Sequence, residues 1–256
     1  MSVLNYLQGR ASQAVLSGDE QSSINTSIST LSTRLNAYFG DKLTEHFRFG
    51  SSTRSTILPR SMDEHSDIDY MVVFAKGGYT PQTYLDQLRR FVETYYSSSD
   101  IKQSSPTIVL QLNHIKFDLV PALKGVWSGY QIPNVSGGWQ NTNPNDFNAT
   151  LTAKNQAELN LIKPTIRLAK FWNAKNGYVF DSYSFEKWIV EKNYFLAINQ
   201  KDYLFAVFDK LSANESAQWR NDRINRAKQI VAKVRDYERD NMPITAESEV
   251  KKLIPG

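Results

Sequence analysis

From residue 24 to 39 the apolar side chains fall at Ile24, Ile28, Leu31, Leu35 and the Tyr38/Phe39 pair. Steps of three and four mark one face of a helix. After Gly40 that spacing is lost: residues 46–50 are a short aromatic run ending in Gly-Ser, a polar stretch follows, and residues 68–74 form an apolar run stopped by Gly77-Gly78. The pattern predicts a loop feeding a buried strand. Residues 84–96 return to helical spacing through Leu85, Leu88, Phe91, Val92 and Tyr95, and a Ser97-Ser98-Ser99 run ends them.

Two strand-like runs, 107–112 and 115–120, are separated by Asn113-His114, which predicts a tight hairpin. Between Pro121 and Pro144 five turn-forming residues recur, Gly125, Gly129, Pro133, Gly137 and Gly138. They predict a long irregular loop. From about Ala153 the pattern is helical: Leu159, Ile162, Ile166, Ala169 and Trp172 share a face, with Pro164 forcing a kink or a fresh helix start. Further helical patterns cover residues 183–193 and 217–238. The chain reads as an α/β first part, about residues 1–150, and a helical second part, 151–256.

Composition narrows the chemistry. The 256 residues contain no cysteine, which removes thiolate metal sites, thiol nucleophiles and disulfides. Hydrophobic residues at 41% and charged residues at 22% suit a folded chain with a sizeable core. Thirty Lys/Arg against 26 Asp/Glu give +4, too weak an excess to argue for nucleic-acid binding, which is left open. The longest apolar run, residues 70–75, is far short of the ~20 residues of a membrane span. Residues 1–20 lack a basic segment followed by an apolar one, so a cytoplasmic protein without membrane contact is expected.

The sharpest chemical feature is Asp67-Ile68-Asp69 at the head of the strand-like run, downstream of Gly50-Ser51. Side chains alternate along a strand, so Asp67 and Asp69 share one face while Ile68 points into the core. In 115–120 the apolar Ile115, Phe117 and Leu119 share a face, leaving Asp118 on the other with Lys116. If the two strands are neighbours, three carboxylates gather, and an all-oxygen donor set selects a hard ion such as Mg²⁺ or Mn²⁺. Two such ions could polarise an attacking hydroxyl and stabilise a pyrophosphate leaving group. Taken singly, an Asp-x-Asp pair is more often a solvated strand end than a metal site.

Gly50-Ser51-Ser52-Thr53-Arg54-Ser55-Thr56, Asp67-Ile68-Asp69 and Asp118 together resemble the polymerase-β-type nucleotidyltransferase superfamily. The resemblance is greatest to the SMODS or CD-NTase enzymes of bacterial anti-phage defence, relatives of animal cGAS and oligoadenylate synthases. Phe117-Asp118-Leu119-Val120-Pro121-Ala122, then Ile132-Pro133-Asn134, Trp139 and Thr142-Asn143-Pro144, resemble that family's segment after the third acid. So do the stretch from Ile166-Arg167 through Lys170-Phe171-Trp172-Asn173 and Ser182-Tyr183-Ser184-Phe185-Glu186. One departure is Ser55, which stands where the family usually has Gly.

The resemblance implies an α+β fold: a polymerase-β-like core with a mixed sheet, and a C-terminal helical lobe completing a nucleotide cleft. It implies Asp67, Asp69 and Asp118 as catalytic and metal-binding residues for two Mg²⁺ ions, and Gly50, Ser51, Lys170, Ser182 and Tyr183 as nucleotide contacts. Lys170 would bind phosphate, Ser182 would add a second phosphate contact and Tyr183 would stack on the donor base. Lys163, Arg167 and Lys170 are spaced four and three apart, on one helix face. Residues 151–201 hold eight Lys/Arg against four Asp/Glu. That stripe reads equally as a triphosphate wall or as a solvated helix face, and Tyr183 as a stacking ring or a core aromatic. His46, His65 and His114 form no cluster and receive no role. The tryptophans, Trp139, Trp172, Trp188 and Trp219 among them, read as core or groove-lining.

The expected function is template-independent joining of NTPs into a cyclic or linear oligonucleotide second messenger, received by a downstream effector. The alternatives are RNA tailing, AMPylation of a protein, or a catalytically silent nucleotide-binding protein.

Overall fold

Four helix starts among the described residues coincide with capping side chains. In the computed structural model, which describes residues 2–104, 106–125 and 128–256, helix α1 (Val3–Gln13) begins at Ser2, whose hydroxyl accepts from the Asn5 N–H. Helix α2 (Gly18–Phe39) begins at Ser17, which exchanges hydrogen bonds with Glu20 in a capping box. Then come β1 (Leu43–Phe49), α3 (Ser51–Arg54), β2 (Asp67–Phe74), α4 (Pro81–Tyr95), β3 (Asp100–Ser104), β4 (Thr107–Gln111), β5 (Lys116–Lys124), β6 (Tyr130–Pro133) and β7 (Trp139–Thr142). The remaining helices are α5 (Asp146–Ala157), α6 (Ile162–Lys175), α7 (Ser182–Val190), α8 (Gln200–Lys210), α9 (Gln218–Arg239) and α10 (Pro243–Val250). Among the described residues, none is long and apolar enough to cross a membrane.

The chain divides into two compact units. One comprises residues 17–60 and 64–149, the other residues 1–16, 61–63 and 150–256. The hydrophobic pattern groups residues 1–16 with the first part, whereas they belong to the helical unit, where Leu7 of α1 is fully buried. An isolated eleven-residue helix is marginal, so its location follows from what its apolar face packs on, which periodicity does not reveal.

The sheet unit has strand order β1-β2-β5-β4-β3, with β6 pairing β5 and β7 pairing β6. Strands β2 and β5 are parallel, and the other pairings are antiparallel. The predicted strand at 68–74 and the hairpin at 107–120 are present, with the Leu112 N–H donating to the Ile115 carbonyl in the turn. Two expectations fail. The aromatic run at 46–50, read as loop, is most of β1, which pairs along β2. The Pro121–Pro144 stretch, read as irregular, contains the end of β5 and the β6–β7 hairpin; its glycines stand at the turns. Pro121, which has no N–H to give, sits where β5 has left β4 and not yet met β6.

Tyr70 and Phe74 lie on the sheet face covered by α2 and α4. Phe74 packs between Phe39 (5.4 Å) and Tyr84 (4.9 Å), and Tyr70 meets Phe117 edge-on. His46 Nδ1 and Nε2 lie 2.9 Å from the Tyr70 hydroxyl and 3.0 Å from Asn36 Oδ1, tying β1 to β2 and α2; burial lowers its pKa. Asn36 offers an acceptor, so the ring is best read as neutral with the proton on Nε2.

In the helical unit Pro164 lies in the first turn of α6, so it marks a fresh start and not a kink. Trp172 meets Phe208 edge-on at 5.2 Å, Tyr194 stacks on Tyr203 at 4.9 Å, and Gln200 Nε2 donates to the buried Thr165 hydroxyl at 2.8 Å. Trp172 is core, Trp139 and Trp188 are partly buried and Trp219 is exposed. The fifth tryptophan, Trp127, lies outside the described residues.

Candidate active site

Residues paired across a sheet point to the same face. Asp69 pairs with Asp118 and Asp67 with Lys116. Strand alternation puts Asp67 with Asp69 and Lys116 with Asp118, so the four side chains form a two-by-two patch. Three carboxylates and one ammonium share it. Further along the same face lie Met71, Val73 and Ala122, sealed by Phe47, Phe49, Tyr130 and Ile132.

Lys116 Nζ stands 3.1 Å from Asp67 Oδ2 and 3.6 Å from Asp118 Oδ1, with the three side chains only 20–29% exposed. Burial alone would lower the Lys116 pKa; Asp67 and Asp118 outweigh it and the pKa is raised. Asp118 is pushed up to about 6, by burial first and then by the Asp67 charge, against the opposing pull of Lys116. An ion-paired carboxyl is ordinarily pulled down, so here desolvation and a second acid win. Asp118 Oδ1 is fully buried, and its 3.6 Å approach to the Lys116 ammonium is an ion pair too long for a hydrogen bond.

Asp69 faces the other landmark. Gly50 has φ 72° and ψ −151°, a region essentially closed to other residues, and a Cβ there would overlap the Asp69 carboxylate oxygen and lie 2.8 Å from its Cγ. The Asp69 carboxylate can therefore lie against the backbone only because residue 50 is glycine. Ser51 opens the single turn α3, which is held by the Thr53 hydroxyl and N–H donating to the Gly50 carbonyl at 2.9 and 3.2 Å. Asn148 Nδ2 reaches the Thr53 hydroxyl at 3.4 Å, and the buried Arg54 guanidinium lies 5.7 Å over Phe147. Ser55 closes the turn in the left-handed conformation, φ 61° and ψ 34°, and the Thr56 N–H returns to the Ser51 carbonyl. The backbone that the usual glycine would favour is thus present with serine in it.

A divalent cation fits the donor set, since the oxygens are hard and Asp118 Oδ1 is a buried acceptor that already faces a cation, the Lys116 ammonium, at ion-pair distance. Among the described residues, however, no three acidic or histidine side chains already converge as a metal cage. Lys116 stands among them instead. Strand alternation alone puts Lys116 on this face, two residues before Asp118, and that spacing is the signal for its role.

The other expected residues lie in the helical unit. Lys170 and Arg167 of α6 are 7% and 9% exposed, which removes the reading of their stripe as a solvated face; burial lowers the Arg167 pKa. Ser182 is the first residue of α7, partly buried, behind the cap formed by Asp181 accepting from the Ser184 N–H. Tyr183 beside it is 46% exposed, so it is not a core aromatic.

A mixed sheet bearing its acids on the β2–β5 pair beside a Gly-Ser turn, together with helices, defines the polymerase-β-like nucleotidyltransferase fold. The same architecture is found in CdnC of E. coli MS115-1, solved with ATP (TM-score 0.74, 16% identity, 100% of this chain and 98% of that one), and in CdnG of Bradyrhizobium diazoefficiens, in complex with GTP (TM-score 0.72, 10% identity, 98% of each). Those likenesses establish the fold. Residues 1–155 match the model of the Second Messenger Oligonucleotide or Dinucleotide Synthetase domain, and the chain belongs to that SMODS family. It is also 28% identical over 207 residues to a probable cyclic nucleotide synthase of Bacillus cereus (strain VD146), covering 65% of this chain and 61% of that protein. The chain thus spans about three fifths of that relative's length.

Proposed function

We propose that this chain is a cytosolic, template-independent nucleotidyltransferase that joins NTPs into a cyclic or linear oligonucleotide, a second messenger for a downstream effector in bacterial anti-phage signalling. The observation that carries the reading is the register that sets Asp69 opposite Asp118, with Asp67 on the same face and Gly50 against Asp69. In the reaction a ribose hydroxyl oxygen bonds to the α-phosphorus of a second nucleotide, the bond from that phosphorus to the β-phosphate oxygen breaks, and pyrophosphate leaves. Asp67, Asp69 and Asp118 would hold two divalent ions, Mg²⁺ or Mn²⁺, which when bound would supply charge neutralisation and Lewis acidity toward the hydroxyl.

The chain's own groups do the rest. Asp118, a carboxylate that burial makes more basic than usual, accepts the hydroxyl proton. Gly50 and Ser51 leave room for phosphate oxygens, and the Ser51 hydroxyl offers a donor. Lys170 and Ser182 hold further phosphate oxygens and Tyr183 stacks on the donor base, roles supported by a lysine kept buried and an aromatic kept exposed.

Incubation with Mg²⁺ and mixed NTPs, with products resolved by mass spectrometry, tests the reading. Cyclic or linear oligonucleotides are expected, and Asp67→Ala with Asp69→Ala should cut their formation by about a thousandfold or more while the circular-dichroism spectrum is kept. Undiminished synthesis by that double variant would overturn the site, and transfer only onto added RNA or protein would overturn the product class.

A further inference from the structure

Lys116 is the one member of the two-by-two patch that the proposed chemistry leaves unused. A lysine at a strand position open to water ordinarily extends its ammonium into solvent, where an ion pair contributes little. Lys116 instead is 23% exposed, with Nζ 3.1 Å from Asp67 and 3.6 Å from Asp118. The neighbour in register on the far strand, Gln111, turns its amide to the Leu112 carbonyl. The acids are therefore the groups that hold this ammonium. Without it two half-buried carboxylates would face each other uncompensated, an arrangement that proteins avoid.

We propose that Lys116 is a place-holding cation: its ammonium takes the position between Asp67 and Asp118 that a divalent ion would take, so that ammonium and metal exclude one another. The inference rests on the reading of this face as the metal site. Its consequence is that the metal-free protein keeps Asp67 and Asp118 partly compensated and in register, and binds free metal weakly. A ligand that binds only one of two states is weakened by the fraction of molecules in the other. A nucleotide triphosphate relieves the competition, because its phosphates strengthen metal binding and give the ammonium another anion to face. Metal and nucleotide then load together.

The test is a Mn²⁺ titration without nucleotide, with free Mn²⁺ read by electron paramagnetic resonance, on wild type, Lys116→Met, Lys116→Arg and the Asp67→Ala/Asp69→Ala double variant. Lys116→Met should bind Mn²⁺ about tenfold more tightly than wild type, Lys116→Arg should resemble wild type, and the double variant should lose the site. In parallel, Mn²⁺ alone should raise the Tm of Lys116→Met by more than that of wild type. Lys116→Gln replaces Lys116→Met if the latter does not fold. A lysine serving stability alone would lower the metal-free Tm on removal without tightening Mn²⁺ binding, so unchanged or weaker Mn²⁺ affinity in Lys116→Met overturns the proposal. Retention of Mn²⁺ binding by the double variant would instead overturn the site reading on which the proposal rests.

Discussion

The two ends of one sheet face are built on opposite principles. Toward one end β2 and β5 carry Asp67, Asp69, Lys116 and Asp118; toward the other the same strands carry Met71, Val73 and Ala122 under Phe47, Phe49, Tyr130 and Ile132. The apolar end gains free energy from every side chain it removes from water, and a slip of one residue would turn that whole set outward. The acidic end gains nothing comparable and concentrates like charges. Register is therefore imposed from the apolar end, and the carboxylates are carried into an arrangement they would not adopt for their own sake.

The largest effect on stability should come from pressing on the place where the acidic end meets the backbone. Gly50→Ala adds a Cβ onto the Asp69 carboxylate at a φ of 72°. A residue with a side chain in such a region costs on the order of 2 kcal/mol, and displacing Asp69 by an ångström should cost about a hundredfold in turnover. Chemical denaturation and initial-rate measurements check both numbers. A fully active Gly50→Ala would mean that Asp69 has latitude, and that the acidic end is less tightly held than the apolar one.

The acids were legible in the sequence because strand alternation is a strict rule: Asp67, Asp69 and Asp118 needed only the correct face and the correct neighbour. Strand β1 was not legible, since its aromatic run is short and its pairing with β2 is a long-range contact that no local pattern encodes. The β6–β7 hairpin was mistaken for loop because its glycines serve turns, and composition does not separate glycine at a hairpin turn from glycine in a disordered stretch. The Lys163, Arg167 and Lys170 stripe could be placed on a helix face, but the burial of Arg167 and Lys170 depends on tertiary packing and is visible only in the structure. Lys116 was legible as a position and not as a partner, because which acids an ammonium pairs with depends on strand neighbours.

An intermediate effect should separate the function of the acidic end from its stability. Asp118, with a folded pKa of about 6 against an ordinary value of 3.8, binds its proton more tightly folded than unfolded. The folded state is thus favoured by this group below about pH 4, and that advantage is lost as pH rises through about 6. At pH 8 the ionised Asp118 costs the metal-free protein on the order of 2–3 kcal/mol. Asp118→Asn keeps the shape, removes the charge and leaves an amide with unmet hydrogen bonds, so a net gain of about 1 kcal/mol at pH 8 is expected. The gain should vanish below pH 4, and synthesis should be lost. Urea unfolding of both proteins at pH 8 and pH 4, with EDTA present, is the measurement. Destabilisation by Asp118→Asn at pH 8 would show that the Lys116 attraction outweighs burial, and that the acidic end supports the fold after all.

The smallest effect concerns Ser55, which closes the turn between the two landmarks with a φ of 61°. A left-handed residue with a Cβ carries a penalty of about 1 kcal/mol that glycine avoids. Glycine in turn gives the unfolded chain more freedom, which returns about half of that gain. As far as the backbone decides, Ser55→Gly should therefore stabilise by about 0.5 kcal/mol, which for a chain of this size raises Tm by ~1–2 °C, less whatever the serine side chain contributes. Asparagine, which tolerates the same region, should fall between glycine and serine, while alanine should match serine or fall below it. Thermal unfolding of the three variants gives the order. If alanine proved much worse than serine while glycine gave no gain, the Ser55 hydroxyl and not its backbone would be what holds the turn, and the acidic end would have a local support of its own in place of one borrowed from the apolar end.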